Sequence, residues 1–356
     1  MQESYAAAWE ALTHFPLTGT PIDVAPYGEG HINVTYLVVT DKKRYILQKM
    51  NRNVFPDSDA LMRNISRVTA HLEGKGIETL HVVKTHEGDT YYRGEDYWRV
   101  YDFIEGTGTY QTAPDHRIFA AAARAFGHFQ RHLADFEADT LSDAIPHFHD
   151  TPRRFETFCR AVEDDPCDRA KTAEAEIAFF LFRGDTFSCV RDGLADGTIP
   201  LRVTHNDTKL NNILMDAQTG DARAVIDLDT VMPGSLLYDF GDAIRFGAST
   251  AKEDEEDLSL VHFDIDLFRV YAEGYCAAVR DTLTPREADL MWYGAYLMTA
   301  ECGMRFLTDY LLGDVYFRTH YPTHNLVRAR TQIRLASEMW DRQEEMQAVI
   351  SRIMKG

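Results

Sequence analysis

The sequence predicts an α+β fold in two lobes, a small β-rich lobe over residues 1–105 and a larger, mostly α-helical lobe over 106–356. Three observations predict it. Apolar residues alternate with period two through most of the first hundred positions, one segment among them has helical period, and long 3.6-period stripes fill most of the remainder. With 356 residues, of which 45% are hydrophobic, the chain is long enough for about two domains with their own cores.

Residues 22–50 read as a strand, a glycine turn and two further strands, because TYLVV and RYILQ are rich in β-branched and aromatic side chains and are bounded by turn formers. Asp41, Lys42 and Lys43 close the second hairpin. From Asp57 the pattern becomes helical, with Leu61, Ile65, Val68 and Leu72 on one face and a stop near Gly74 and Gly76. Strands return around HVVKT, TYYRG and YWRVYDFIEG. After Gly106, helical stripes are expected over 119–133, 151–158, 173–181, 266–280, 285–312 and 324–353, interrupted near 204–230 by short strands and a loop. The dense charge run 252–257 reads as a solvated loop or helix start.

A formal charge of -19 argues against nucleic-acid partners, which require a clustered positive surface, and would welcome a cationic small molecule. The five cysteines are scattered, odd in number and without a CxxC pair, as expected of a reducing compartment. The amino-terminal residues lack a signal-peptide pattern and no run of 18 apolar residues occurs, so a cytoplasmic, membrane-free protein is expected. Nothing in the sequence fixes an oligomeric state.

The most informative stretch is THNDTKLNNIL at 204–214, followed from Val225 by VIDLDT. Taken singly, HND reads as a surface turn and IDLD as a strand with a polar end. Their ordered combination reads as a phosphoryl-transfer site. Asp207 and Asn212 stand five apart, the spacing at which a catalytic-loop Asp orients or deprotonates an acceptor hydroxyl and an Asn holds magnesium. Mg²⁺ demands hard oxygen ligands, and Asp227, expected at the end of the following strand, supplies another. Asp229, two positions on and expected on the same strand face, is a candidate for a second ion or a metal-bound water. Lys209 is placed to neutralise charge on the transferring group.

These motifs resemble those of the aminoglycoside phosphotransferase and choline kinase superfamily, which has a protein-kinase-like bilobal fold. YGEGHINVTYLV, RYILQKMN, WRVYDFIE, HFHDTPRRFE, THNDTKLNNILMD, DFGDAIRFGAST, ECGMRF and YPTHNLVRARTQI are similar, over nearly the whole chain, to the N-acetylhexosamine 1-kinases. The resemblance implies ATP as donor with Mg²⁺, and transfer to the anomeric hydroxyl of N-acetylglucosamine or N-acetylgalactosamine, whose proton Asp207 accepts or whose oxygen it aims. It also implies a structural His205, and Asp239 and Asp242 as braces of the catalytic loop. A kinase for a cationic alcohol, such as an aminoglycoside or choline, is the alternative on the same fold.

The phosphate-covering loop is expected at 27–35, with Gly28 and Gly30 admitting backbone amides to the nucleotide and Asn33 where a GxGxxG loop would end in glycine. On the next strand Gln48 takes the inward position of the usual phosphate-binding lysine, Lys49 faces outward, and Asn64 stands in for the acidic partner, leaving an uncharged pair. Backbone groups of Phe103, Ile104 and Glu105 are expected to meet the adenine. For the acceptor, Glu301 and Arg305 lie one helical turn apart and read either as a buried ion pair or as a sugar clamp. His31, Phe246 and Tyr316 complete the candidate sugar pocket. His147, His149 and Asp150 lack the ligand number of a metal site and read as a solvated or capping segment before Pro152.

Overall fold

The computed structural model describes residues 2–28 and 32–355, so Gly30 and His31 lie outside the described residues. The chain divides into two compact units. One comprises Met1–Gly108, Asp139–Pro146 and Leu214–Met232; the other comprises Thr109–Ala138, His147–Ile213 and Pro233–Gly356.

The first unit is built on an antiparallel sheet in the order Pro21–Pro26, Val34–Thr40, Arg44–Lys49, Tyr97–Asp102 and Val82–Val83, with Tyr92–Arg93 also paired to Tyr97–Asp102. Strand alternation sorts its faces. Tyr36, Val38, Tyr45, Leu47, Trp98 and Val100 join one core with Ala8, Ala11 and Leu12 of an amino-terminal helix, Gln2–Leu12, that the sequence pattern did not reveal. Thr35, Gln48 and Arg99 are in direct register, so they form a polar row across three strands. The helix Ser58–Gly74 has the expected buried stripe of Leu61, Ile65, Val68 and Leu72, and Asp57 caps it by accepting from the Ala60 amide at 2.8 Å.

The second unit is a helical assembly. His116–His132 packs on Ile265–Val279, and Pro285–Leu311 packs on both Leu236–Gly247 and His324–Asp341. The 324–353 stripe forms two helices instead of one, His324–Asp341 and Gln343–Lys355. At Arg342 the backbone leaves helical dihedrals (φ -103, ψ 16), and the side chain bonds Glu345 and the Phe263 carbonyl. Helices Cys189–Asp196 and Leu236–Gly247 are additional to the sequence-based expectation. Among the described residues no helix is long and apolar enough to cross a membrane. All five cysteines are free.

The Leu236–Gly247 helix reaches Pro285–Leu311 through facing glycines. A Cβ on Gly241 would run into the Gly294 carbonyl, and one on Gly294 would meet the Leu237 carbonyl at 2.6 Å. Alanine at 241 gains about 1 kcal/mol of helix propensity. Backbone on backbone cannot yield as a side chain can, so overpacking falls at the upper end of its usual range, about 3 kcal/mol, and outweighs that gain. Gly241→Ala should therefore lower the thermal midpoint; an unchanged or raised midpoint would contradict the close approach.

Candidate active site

The catalytic-loop residues lie in the second unit. After the strand Arg202–Thr204 the backbone turns through Asn206, whose φ of 66 places it in the left-handed region that Asn tolerates. The turn is held from below. Asp239 accepts from the amides of His205 (2.9 Å) and Asn206 (2.7 Å) and from Gln130 Nε2 (2.7 Å), while Asp242 accepts from the Thr208 amide at 3.0 Å. Both carboxylates sit on the first turns of Leu236–Gly247, so burying that helix fixes the loop. Burial pushes the Asp239 carboxyl above its ordinary pKa, against the opposing pull of His205 and these donors. His205 packs edge-on against Phe126 and Phe129, and its Nδ1 accepts from the Asp207 amide at 3.3 Å.

Asp207 carries three interactions. Lys209 Nζ lies 2.7 Å from Oδ1, and Asn212 Nδ2 donates to Oδ2 at 2.9 Å and to the Asp207 carbonyl at 2.8 Å. Burial works against its ionisation, but Lys209, His205 and Asn212 outweigh that and hold its carboxyl below the usual value. It is therefore charged at neutral pH. Its side chain keeps 27% of its surface exposed, enough to meet an acceptor. With the Asn212 amide nitrogen turned to Asp207, the amide oxygen is left as a hard ligand of the kind Mg²⁺ takes. Lys209 also lies 5.3 Å from the ring centre of Phe246, which is stacked under the Arg245 guanidinium.

Around Glu301 the sequence offered two readings, and the structure corrects the ion-pair one. Glu301 is taken by His149 Nδ1 (2.9 Å), Thr151 Oγ1 (2.5 Å) and Arg154 Nε (3.4 Å), groups some 150 positions away in the chain. No hydrogen bond or ion pair joins Arg305 to another described residue; it lies beside the rings of Tyr316 (5.8 Å) and Phe317 (5.3 Å). Tyr316 is exposed, on a loop gathered by Asp309, which accepts from the amides of Val315, Tyr316 and Phe317. Burial pushes the thiol of Cys302, on the same helix as Arg305, up to about 11, against the pull of Arg245 and Arg305. Asp150 caps Thr151–Asp164, one of the two roles expected of HFHD, while the His149 side chain is buried against Glu301 and not solvated.

The Glu301 cluster sets an acid sensitivity. Burial alone would raise the Glu301 carboxyl, but His149, Arg154 and Thr151 bring it down to about 2. A folded value below the unfolded one means that the stability it contributes is whole above about pH 4.5 and is lost as pH falls toward about 2. Glu301→Gln should cost about 3 kcal/mol at neutral pH by leaving buried partners unpaired, and should flatten the fall in stability on acidification. Denaturation midpoints across that range check this; an unchanged slope would contradict it.

The remaining residues named from sequence lie in the first unit. Asp227 does not end a strand. The strand stops at Val225, Asp227 is exposed in a left-handed conformation (φ 58), and Leu228–Thr230 form a 3-10 turn. Asp229 therefore does not share a strand face with it and is buried. It accepts from Asn33 Nδ2 at 2.6 Å and from Arg99 NH2 at 2.8 Å, with its other oxygen 2.7 Å from the same nitrogen. Gln48 is not paired with Asn64. Its Oε1 accepts from Arg99 Nε (2.9 Å) and NH2 (2.7 Å), and its Nε2 donates to Thr35 at 3.0 Å. Asn64 instead bonds Ser142 and the Val231 carbonyl. Lys49 faces outward to Asp96 at 2.6 Å.

Gly28 turns with φ 76, and the Tyr27 amide closes the hairpin on the Thr35 carbonyl. Phe103 lies under the Arg44 guanidinium, which also binds Glu105; the Ile104 carbonyl accepts from Thr107 Oγ1 at 2.7 Å. Arg99 is the residue that sequence reasoning missed. The available signal was a lone cation among the aromatic and aliphatic residues of YWRVY; its place opposite Gln48 comes from the strand pairing.

The profile of the phosphotransferase enzyme family matches residues 23–275, well over half of the chain. A microcompartment-associated aminopropanol kinase superposes with a TM-score of 0.65 at 18% identity, covering 97% of this chain and 99% of that one. Choline kinase from Cryptosporidium parvum Iowa II gives 0.58 at 14%, covering 97% of each. The ADP-bound aminoglycoside phosphotransferase APH(2'')-Ib gives 0.52 at 13%, covering 90% and 95%. At these identities the likeness is one of fold.

Proposed function

The chain belongs to the phosphotransferase enzyme family, and from that premise we propose that it transfers the γ-phosphoryl group of ATP to the anomeric hydroxyl of N-acetylglucosamine or N-acetylgalactosamine. In this reading Asp207 aims the 1-hydroxyl and takes its proton. A weakly basic carboxylate suffices, because a loose transition state places most of the demand on positioning and charge. Lys209 neutralises charge on the transferring group. The Asn212 amide oxygen and the Asp227 carboxylate are each assigned to Mg²⁺, which when bound would shield the phosphate charge. Backbone groups of Phe103, Ile104 and Glu105 meet the base, and Gly28 and Asn33 belong to the loop over the phosphates.

The observation that carries the choice of a neutral sugar is the charge on the acceptor side. Arg305 has no carboxylate partner among the described residues, while Glu301 is already occupied by His149, Thr151 and Arg154. An ammonium-bearing alcohol would meet an unpaired guanidinium there. A sugar hydroxyl or acetamido oxygen would accept its hydrogen bonds, and Tyr316 and Phe246 would offer apolar walls. The alternative acceptor, a cationic alcohol, is favoured by the net charge of -19. A panel of N-acetylhexosamines, choline, aminopropanol and aminoglycosides, assayed with MgATP for ADP release, decides between them. Turnover with the N-acetylhexosamines is expected; turnover confined to the amines would overturn the sugar reading.

A further inference from the structure

The first unit holds one buried positive charge that the proposed chemistry has not used. Arg99 is 1% exposed, set between Trp98 and Val100 on a strand whose other charged residue is the terminal Asp102. Burying a guanidinium costs several kcal/mol unless its donors are matched, and here they are matched unevenly. Nε and NH2 converge on Gln48 Oε1, NH2 also serves Asp229, and among the described residues NH1 has only the Met62 sulfur at 3.8 Å. The guanidinium carbon lies 5.2 Å from the ring centre of Tyr101. Burial lowers the tendency of Arg99 to hold its proton, but Asp229, Tyr101 and Asp227 more than offset that. The arrangement makes Gln48 an acceptor that orients a cation and Asp229 the anion that the cation fixes.

Asp229 belongs to the short turn that begins at Asp227. A left-handed aspartate followed by a 3-10 turn is a conformation that neighbouring contacts must hold. Those contacts come from Arg99 on the Tyr97–Asp102 strand and from Asn33, whose Oδ1 also accepts from the Asn51 amide at 2.9 Å. One carboxylate thus ties the end of the glycine loop, the sheet and the Asp227 turn together.

We infer that Arg99 is the positioning residue of the nucleotide-phosphate site: held by Gln48, it fixes Asp229 and so presents Asp227 to the cation. In protein kinases a lysine on the corresponding strand supplies the buried charge. Here the charge has moved one strand across, to the position directly opposite Gln48, and a neutral residue at 48 is a requirement of that move. A lysine at 48 would set an ammonium against the guanidinium and remove its acceptor. The inference rests on the nucleotide reading of Asp227 given above.

The test is a transposition of charge. Full-length wild type, Gln48→Lys, Arg99→Gln and the double variant are titrated with MgADP and with adenosine, and their thermal midpoints are measured without ligand. Gln48→Lys, at a half-buried position, should weaken MgADP by about tenfold while adenosine changes less than about twofold. The double variant returns one cation to the facing pair and should recover most of the MgADP affinity lost in Arg99→Gln. Gln48→Lys binding MgADP as tightly as wild type would overturn the inference, as would a double variant no better than Arg99→Gln, or equal losses for adenosine and MgADP. Wild-type protein that binds adenosine but shows no gain from Mg²⁺ and phosphates would sink the nucleotide reading of Asp227 itself, and this inference with it.

Discussion

Asp207→Asn should lower turnover by about a thousandfold while changing the affinity for the sugar by less than about threefold. The amide keeps an oxygen to accept from Asn212 and a shape that fills the same space, so the loop and its hydrogen bonds remain. What it loses is the capacity to take a proton and the charge that Lys209 faces at 2.7 Å. The thermal midpoint should be close to that of wild type, because Asp207 is partly exposed and the loop is held by other groups. Steady-state kinetics together with sugar titration separate these effects. Near-wild-type turnover would remove Asp207 from the chemistry; a parallel collapse of sugar binding would make it a binding residue instead.

Asp239→Ala should act through stability and reach activity second. The carboxylate is fully buried and satisfies the His205 and Asn206 amides and Gln130 Nε2. Each donor stranded without water costs about 1–3 kcal/mol, so the sum is at least about 3 kcal/mol, which is a large share of a typical net stability. The left-handed Asn206 loses its anchor at the same time. The expected result is a thermal midpoint lower by several degrees with reduced turnover, a pattern opposite to that of Asp207→Asn. Differential scanning calorimetry beside kinetics checks it. Full stability in Asp239→Ala would show that the loop is held by other contacts.

Much of this was legible in the sequence because it is local. The spacing of Asp207 and Asn212 marks a short loop carrying both side chains, and there the Asn212 amide donates to the Asp207 carboxylate. The hairpin from Val34 to Lys49 follows from alternation and a three-residue polar turn, and the Ser58–Gly74 helix from its apolar stripe and the Asp57 cap. What the sequence did not disclose is non-local. Alternation identifies Gln48 as an inward residue, but nothing in its segment points to Arg99, or says that Arg99 finds Asp229, 130 positions later. The pairing of Gln48 with Asn64 failed for the same reason: the helix places Asn64 on carbonyls at Ser142 and Val231, out of the polar row.

Asp227 and Asp229 were separated by backbone conformation. IDLD continues the period of a strand, yet a left-handed residue at 227 ends that period and buries 229. Glu301 and Arg305 have the spacing of a helical ion pair, and the pairing was decided by competition. His149, Thr151 and Arg154 occupy the carboxylate first and leave the guanidinium for another partner.

The most direct test of the central claim is phosphorus NMR of the product formed from MgATP and N-acetylglucosamine. The account predicts one new phosphomonoester signal coupled to the anomeric proton, formed with stoichiometric ADP and absent with Asp207→Asn. A phosphate on any other hydroxyl, or no transfer to this sugar while an amino alcohol is phosphorylated, would contradict it.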